Sequence, residues 1–406
     1  MFYVGIDWAD LKHDVCVVDE KGERVVKFTI PHTAQGLSKL HRRLSMLTPN
    51  RDELPLALET DKGLVVSFLL DLGYTIYPIN PKVVSRYRDR YRTSGAKSDP
   101  LDALVLANIL RTDRHRFRPL LPDSTLAREL KALARDHQHL VKARTALSNQ
   151  LTACLKAYYP RALELFSKVT QPITLAFLKA YPTPQNASGL SLKRLRRFLS
   201  EHRYTHPQRV EELYNTLQQP QMAVESWLVR AKSRHMLALV AQLECLNTEI
   251  KSYEEEIQKL LKKHPDSEIF LSLPGAGPIL AARMLAEIGD NRQRYSDYQA
   301  LQCEAGTAPV TIASGNYSYV RFRRACKKSL RATLHQFAFC SRRESDWANQ
   351  FYYQQRGKGK SNSLATRALA NKWVKVIFAL WQKRQTYNES FHLWDKARYT
   401  LKARAA

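Results

Sequence analysis

Short apolar runs separated by polar turns open the chain. Residues 3–8, 13–19 and 24–30 each carry a strand-like pattern, and Asp19-Glu20-Lys21-Gly22-Glu23 supplies a polar turn between the last two. They predict three consecutive antiparallel strands. Leu37, Leu40, Leu44 and Leu47 then step by three and four, which is helical spacing. A strand over 54–59, a helix over 64–72 and a strand over 74–79 follow. Asn80-Pro81 ends that strand and opens another helix, because proline at a first helical position forfeits no hydrogen bond. The order predicts an α/β layer over residues 1–118.

From Leu126 the period lengthens. Leu126, Leu130, Leu133, His137, Leu140, Leu147, Leu151, Cys154 and Tyr158 mostly recur at steps of three and four. So do Met236, Leu239, Leu243, Leu246, Ile250, Tyr253, Ile257 and Leu260. Two such stretches predict antiparallel arms of a coiled coil within 119–263, with a narrow apolar seam suited to a partner helix and a dimer as the smallest unit. Between them, 159–225 is broken by Pro182, Pro184 and Ser188-Gly189 and reads as a helical insertion capping the arms. A third, mainly helical region covers 264–406. There Leu273-Pro274-Gly275-Ala276-Gly277-Pro278 leads into an apolar helix. That turn reads equally well as a helix-hairpin-helix, whose N–H groups hold a phosphate, and as an ordinary loop.

Composition narrows the partners. Of 406 residues, 64 are Lys or Arg and 38 are Asp or Glu, giving a formal net charge of +26. Such a balance calls for a polyanion. No apolar run is long enough to span a bilayer, and no basic-then-apolar signal opens the chain, so a cytoplasmic protein without a membrane partner is expected. The six cysteines are scattered without C-x-x-C pairing, which fits a reducing compartment and argues against a structural zinc site.

The charge is localised. Residues 315–343 hold Arg321, Arg323, Arg324, Lys327, Lys328, Arg331, Arg342 and Arg343 with no acid, interleaved with Tyr317, Tyr319, Phe322, Phe337 and Phe339. Residues 347–388 are again basic and acid-free, and Gly357-Lys358-Gly359-Lys360-Ser361 reads as a flexible loop laid along phosphates; its glycine spacing excludes a P-loop. Arg86, Arg88, Arg90 and Arg92 form a third cluster around Tyr87 and Tyr91, with Lys97 beyond. Arginine with tyrosine pairs phosphates and stacks on bases.

Four acids carry the candidate chemistry. Asp7 lies within the first apolar strand, Glu59 ends another, and Asp99 and Asp102 stand three apart on one predicted helix face. A ribonuclease-H-like (RuvC-like) fold would gather such positions. Clustered carboxylates require a cation, and oxygen-only ligands suit Mg²⁺ or Mn²⁺, which act on phosphate esters. Asp61 stands two residues beyond Glu59 as an alternative ligand.

Asp7, Glu59 and Lys97-Ser98-Asp99-x-x-Asp102-Ala103 resemble the DEDD-type transposases of bacterial insertion sequences, the family numbered one-ten, also called bridge recombinases. Ala305-Gly306-Thr307-Ala308-Pro309, then Ser314-Gly315, then a basic helix from Arg321 to Phe339 carry the C-terminal part of the resemblance. It implies a divalent metal held by the four acids and a nucleophilic serine, matching Ser314, that forms a 5′-phosphoserine link to DNA. It further implies a structured bridge RNA that pairs with target and donor duplexes, and a tetramer whose metal site and serine come from different subunits. From the residues alone, Ser318 and Ser329 are neighbouring alternatives to Ser314, and a turn serine that merely bonds backbone is the commoner case. The competing function is a RuvC-type, metal-dependent nuclease that activates water and leaves Ser314 inert; a non-enzymatic nucleic-acid scaffold is the third.

Overall fold

The computed structural model describes residues 1–90, 99–220, 222–315 and 317–390, and for Asp99 and Pro100 the backbone alone. The chain forms two compact units, Met1–Asp123 and Ser124–Ala406.

The first unit is built on a five-stranded sheet. Its strands are β1 (Tyr3–Trp8), β2 (Lys12–Val18), β3 (Arg24–Pro31), β4 (Leu56–Leu58) and β5 (Ile76–Pro78), in the order β3-β2-β1-β4-β5. β1 to β3 pair antiparallel, while β4 and β5 continue the sheet in parallel with β1. The helices are α1 (Ala34–Ser45), α2 (Leu64–Asp71), α3 (Pro81–Arg88) and α4 (Asp99–Asp113). α3 begins where Asn80-Pro81 predicts, and the Asn80 side chain accepts the Lys82 N–H at 2.9 Å. The two parallel strands are shorter than the expected 54–59 and 74–79. Leu54, Leu56 and Leu58 are all fully buried, so the apolar run continues past the paired residues and does not mark where pairing begins.

Side-chain alternation sorts this sheet into two faces. Val4, Ile6, Val15, Val17 and Leu58 join the core that contains Leu37, Leu40 and Leu44 of α1 and Val65 and Leu69 of α2. Cys16 and Val18 face α4 with Ala103 and Ala107. Gly5 belongs to the α4 face. A Cβ there would stand 2.0 Å from the Ala103 carbonyl oxygen and 2.6 Å from the Ala107 nitrogen. Glycine is therefore what lets α4 lie directly on β1. The helix runs antiparallel to β1, since Arg111 near its far end packs on Gly22 in the β2–β3 turn, beside the start of β1.

The second unit is mainly helical. Two long helices, α5 (Thr125–Tyr158) and, after the insertion, α11 (Ser226–Lys263), lie side by side. His137 meets Glu254 at 3.3 Å, Arg144 Nη1 donates to Asn247 at 3.5 Å and Cys154 reaches the Lys232 carbonyl at 3.5 Å. Rising numbers on one helix meet falling numbers on the other, so the pair is antiparallel. Leu243 and Ile250 are already buried in the single chain, so the seam that sequence spacing offered to a partner helix is taken up within it. Between the arms run α6 (Ala162–Leu165), α7 (Pro172–Ala180), α8 (Pro184–Ser188), α9 (Leu192–Glu201) and α10 (Val210–Gln218). Their apolar faces share one core with Leu151, Leu155, Met236 and Leu243, which covers that end of the pair.

After the arms come α12 (Ser267–Leu271), α13 (Pro278–Ile288), α14 (Tyr298–Glu304), β6 (Val310–Ser314), β7 (Tyr317–Arg321), α15 (Lys328–Ser341), α16 (Asp346–Gly357) and α17 (Asn362–Lys383). α13 is buried from Leu280 to Ile288 at the centre of the core. The β6–β7 hairpin adds two strands to a region expected to be mainly helical. The basic helix starts at Lys328, not Arg321, because Tyr-Ser-Tyr-Val-Arg is an alternating aromatic and β-branched run that pairs with 310–314 instead. Gly357 to Ser361 is likewise an ordered cap, not a loose loop: the N–H groups of Lys358, Gly359 and Lys360 donate back into the last turn of α16, and the Ser361 side chain caps α17.

Candidate active site and nucleic-acid interface

The acids of the first unit collect at one end of the sheet. Asp7 has the same side-chain phase as Gly5, so it points to the face that carries α4. Ile6 and Leu58 are register partners on adjacent parallel strands. Asp7 and Glu59 are the next residue on each, and Glu59 continues the phase of Ala57, whose side chain packs against α4 residues. The antiparallel course of α4 brings its first turn, with Asp99 and Asp102, to this same end. Asp102 is 1% exposed, and its Oδ1 receives Arg88 Nε at 2.7 Å and Nη2 at 2.6 Å. The side chain of Asp99 lies outside the described residues. Among the described residues no three His, Cys, Asp or Glu side chains are gathered closely enough to hold an ion.

One acid that sequence reasoning missed belongs here. Asp14 is the cross-strand partner of Asp7, shares its face, is buried, and accepts the Thr29 hydroxyl at 2.5 Å. The signal that would have found it is the hairpin register, since Asp7 and Asp14 are symmetric about the β1–β2 turn. Next to it, His13 is fully buried and its Nε2 lies 2.8 Å from His32 Nδ1. Burial, with His32 adding to it, holds His13 below the ordinary histidine value.

Ser314 ends β6, directly opposite Tyr317 across a two-residue connection. Gly315, just after it, has φ +54°, the left-handed backbone a tight hairpin turn requires. Ser314 is exposed, as is most of the hairpin. The two alternatives separate clearly. Ser329 donates its hydroxyl to Glu287 at 2.8 Å and is committed. Ser318 is exposed but pairs with Ala313, so it projects from the opposite hairpin face to Ser314.

The predicted nucleic-acid residues divide into free and committed. Arg86, Arg90, Arg321, Arg324, Lys328 and Lys358 are exposed. Arg92 and Lys97 lie outside the described residues. Arg88 is bound to Asp102, and Arg323 donates to the Ala308 and Pro309 carbonyls at 3.3 and 3.4 Å, clamping the hairpin base. Lys360 bonds Gln355. Lys327 is internal: it reaches the Glu287 carbonyl at 3.1 Å and stands 3.6 Å from its carboxylate, which Arg135 also grips at 2.9 and 3.2 Å. Burial pushes the Glu287 carboxyl up, but Arg135, Lys327 and Ser329 outweigh it and hold it below the usual value. In the 273–278 turn, the Gly275 N–H donates to Glu344 at 3.0 Å, so it is spent within the protein and not offered to a phosphate.

Comparison with known proteins decides the family. Residues 4–160 match a family described as Transposase, and residues 267–353 match the Transposase IS116/IS110/IS902 family. The chain is 38% identical over 401 residues, 95% of each chain, to the mini-circle putative transposase for IS117 of Streptomyces coelicolor. The chain belongs to the IS110/IS116 transposase family. It is also 26% identical over 392 residues to the 42 kDa protein of insertion element IS900 from Mycobacterium paratuberculosis, covering 95% of this chain and 97% of that one. It is 24% identical over 335 residues to the IS1111A transposase of Coxiella burnetii, covering 78% and 74%. The protein is therefore a DNA transposase, an enzyme of strand cleavage and rejoining.

A DEDD-type transposase domain implies a divalent cation. Carboxylates alone, placed at two adjacent strand ends and a helix start, would suit a hard cation. The buried Asp102 carboxylate is neutralised here by a positive charge, the guanidinium of Arg88. Among the described residues no helix is long and apolar enough to cross a membrane.

Proposed function

We propose that this transposase cuts and exchanges DNA strands through a 5′-phosphoserine formed at Ser314, with Mg²⁺ or Mn²⁺ held by Asp7, Glu59, Asp99 and Asp102. The observation that carries the reading is the hairpin. Ser314 is an exposed hydroxyl at its tip, beside a glycine turn, in a segment rich in free arginine and lysine. A duplex can reach it without the protein opening. In the first step the Ser314 Oγ attacks phosphorus, the strand's 3′ oxygen leaves and takes a proton, and the 5′ phosphate stays on the serine. In the second, a 3′ hydroxyl of another strand attacks the phosphoserine and the serine regains its proton. When bound, the divalent cation stabilises charge on the phosphate oxygens and assists ionisation of the hydroxyl. Arg88 holds Asp102 in place until then, and Asp14, beside Asp7, adds negative potential to the same end of the sheet.

The sheet order, antiparallel over β1–β3 and parallel onward, supports a ribonuclease-H-like fold for 1–118, and the α5–α11 pair supports an antiparallel coiled coil over 119–263. The remaining residues 264–406 then form the transposase domain with the serine. Guidance by a structured bridge RNA, pairing with target and donor duplexes, rests on the family resemblance. So do the dimer as building block, the tetramer as active complex, and a cytoplasmic enzyme that joins the nucleoid when active.

The test is a covalent trap. Wild type incubated with Mg²⁺ and its element's junction DNA should yield a protein–DNA adduct that peptide mass analysis maps to Ser314. Ser314→Ala should abolish adduct and recombinant while DNA binding survives. Ser318→Ala, facing the other way, should retain both. Cleavage by the wild type with no adduct would install the water-activating nuclease in its place.

A further inference from the structure

Around Phe322, where β7 ends, the second unit carries a group of cations that strand chemistry at Ser314 does not use. Phe322 is 40% exposed. The Arg367 guanidinium carbon, from α17, lies 4.1 Å from the centre of its ring, and that of Arg331, from α15, lies 4.9 Å away. His335 stands one helical turn after Arg331. Contact with the ring satisfies the flat faces of the guanidinium groups but none of their N–H groups. Arg331 Nη1, Arg367 Nε and His335 Nε2 are all buried and have no hydrogen-bond partner among the described residues. Buried polar nitrogens are ordinarily satisfied, so two guanidinium N–H groups and an imidazole nitrogen left open at one place mark a missing partner that accepts from the arginines.

The electrostatics agree. Burial lowers Arg367 below the ordinary arginine value and Arg331 adds to it. Burial, Arg367 and Arg331 together carry His335 down to about 4, so the imidazole is neutral at neutral pH. No carboxylate contributes to either shift. Two arginines with no acid paired to either among the described residues repel, and an anion between them removes that repulsion. A guanidinium fork matches phosphate oxygens in shape as well as charge.

We infer that Arg331, Arg367 and His335 form a seat for one backbone phosphate of the DNA, at the base of the hairpin whose tip carries Ser314. The choice of DNA rests on the proposed role of Ser314 as its nucleophile. From Tyr317 to Phe322 a straight strand spans roughly 17 Å at about 3.3 Å per residue. Phosphates on one strand advance about 3.4 Å along the duplex axis per step. The seated phosphate is thus several nucleotides from the scissile one, and it fixes the register of the strand across the hairpin without taking part in the chemistry.

The experiment measures affinity for a short labelled DNA duplex against salt. Each neutralised phosphate contributes a slope of about −0.9 in log K against log salt. The double variant R331Q/R367Q should lose about 0.9 of slope, one phosphate and no more. An unchanged slope overturns the seat, and a loss of about 1.8 overturns it as a single site by showing two separate phosphate contacts. R367K, which keeps the charge, should retain most of the slope. Should the double variant fail to fold, wild type titrated with inorganic phosphate supplies the answer: the His335 ring proton resonances should move saturably, and still resonances overturn the proposal. A slope loss seen with structured RNA but not with duplex DNA overturns the DNA assignment. Ser314→Ala run alongside keeps the two ideas apart. An intact slope in R331Q/R367Q with a wild-type adduct at Ser314 sinks the seat alone. A reduced slope in the double variant with no wild-type adduct sinks the nucleophile alone.

Discussion

Gly5→Ala is the sharpest test of how the acids are brought together. It adds one methyl group, two residues before Asp7, at a place where the nearest atom would stand 2.0 Å away and belongs to the α4 backbone. An ordinary carbon–oxygen contact is about 3.3 Å, so α4 must retreat by roughly 1.3 Å or β1 must buckle. Overpacking of this kind costs about 1–3 kcal/mol. The loss in activity should be larger than that loss in stability suggests. Asp99 and Asp102 ride on α4 while Asp7 and Glu59 stay with the sheet, and a misplacement of about 1 Å at a reacting centre costs on the order of 100-fold in rate. The assay is strand cleavage of junction DNA under saturating Mg²⁺, read beside hydrogen exchange at the α4 amides in the full-length protein. Gly189→Ala is the control, since a Cβ there meets nothing closer than 4.0 Å. A Gly5→Ala variant with full cleavage and unchanged α4 protection would refute the packing of α4 on β1, and with it the argument that places Asp99 and Asp102 beside Asp7.

Arg88→Gln should leave the Asp102 carboxylate, 2% exposed, without its charged partner; breaking such a buried pair costs on the order of 3–5 kcal/mol. In chelator the variant should melt well below wild type, and added Mg²⁺ or Mn²⁺ should recover more stability in the variant than in wild type; equal recovery would mean that no cation replaces the guanidinium. Glu287, held below the ordinary 4.5 by Arg135, Lys327 and Ser329 against its burial, should contribute stability that is complete above that pH and lost as pH falls through its lowered value. Unfolding of Glu287→Gln should accordingly be less acid-sensitive than wild type below pH 4.5, and identical pH dependence would remove Glu287 from the account of acid stability.

The three hairpin strands were readable from sequence because each alternates, with one side buried and the other not, and polar residues mark the turns. The arms were readable because a long helix repeats its signal many times. What failed was local. Residues 321–327 look like the front of a basic helix when charge is counted, and only alternation of Tyr317, Tyr319 and Arg321 against Ser318 and Val320 shows that Arg321 closes a strand. The strand places Ser314 at a hairpin tip and not simply ahead of a helix. The spacing of Leu243 and Ile250 marks an apolar seam but suits a partner chain as well as a neighbouring helix, because periodicity says that a face is covered and not what covers it.

The basic residues fail for a related reason. Composition gives every arginine the same meaning, yet the fold assigns them three different ones. Arg88 and Lys327 neutralise buried acids, Arg323 ties the hairpin to its own base, and Arg324 and Lys328 remain exposed for a partner. Arg331 and Arg367 form a further class, partly buried with no acid partner among the described residues, and no count along the chain brings together residues 36 positions apart on two helices. A polyanion-binding protein has to solve both problems with the same residue type. Cations that hold the fold must be paired internally, or they would be pulled away by phosphate; cations that bind must be left unpaired, at a cost the free protein bears. The unpaired, partly buried ones are therefore the most informative about the ligand, because in the free protein stacking on Phe322 offsets their burial only in part.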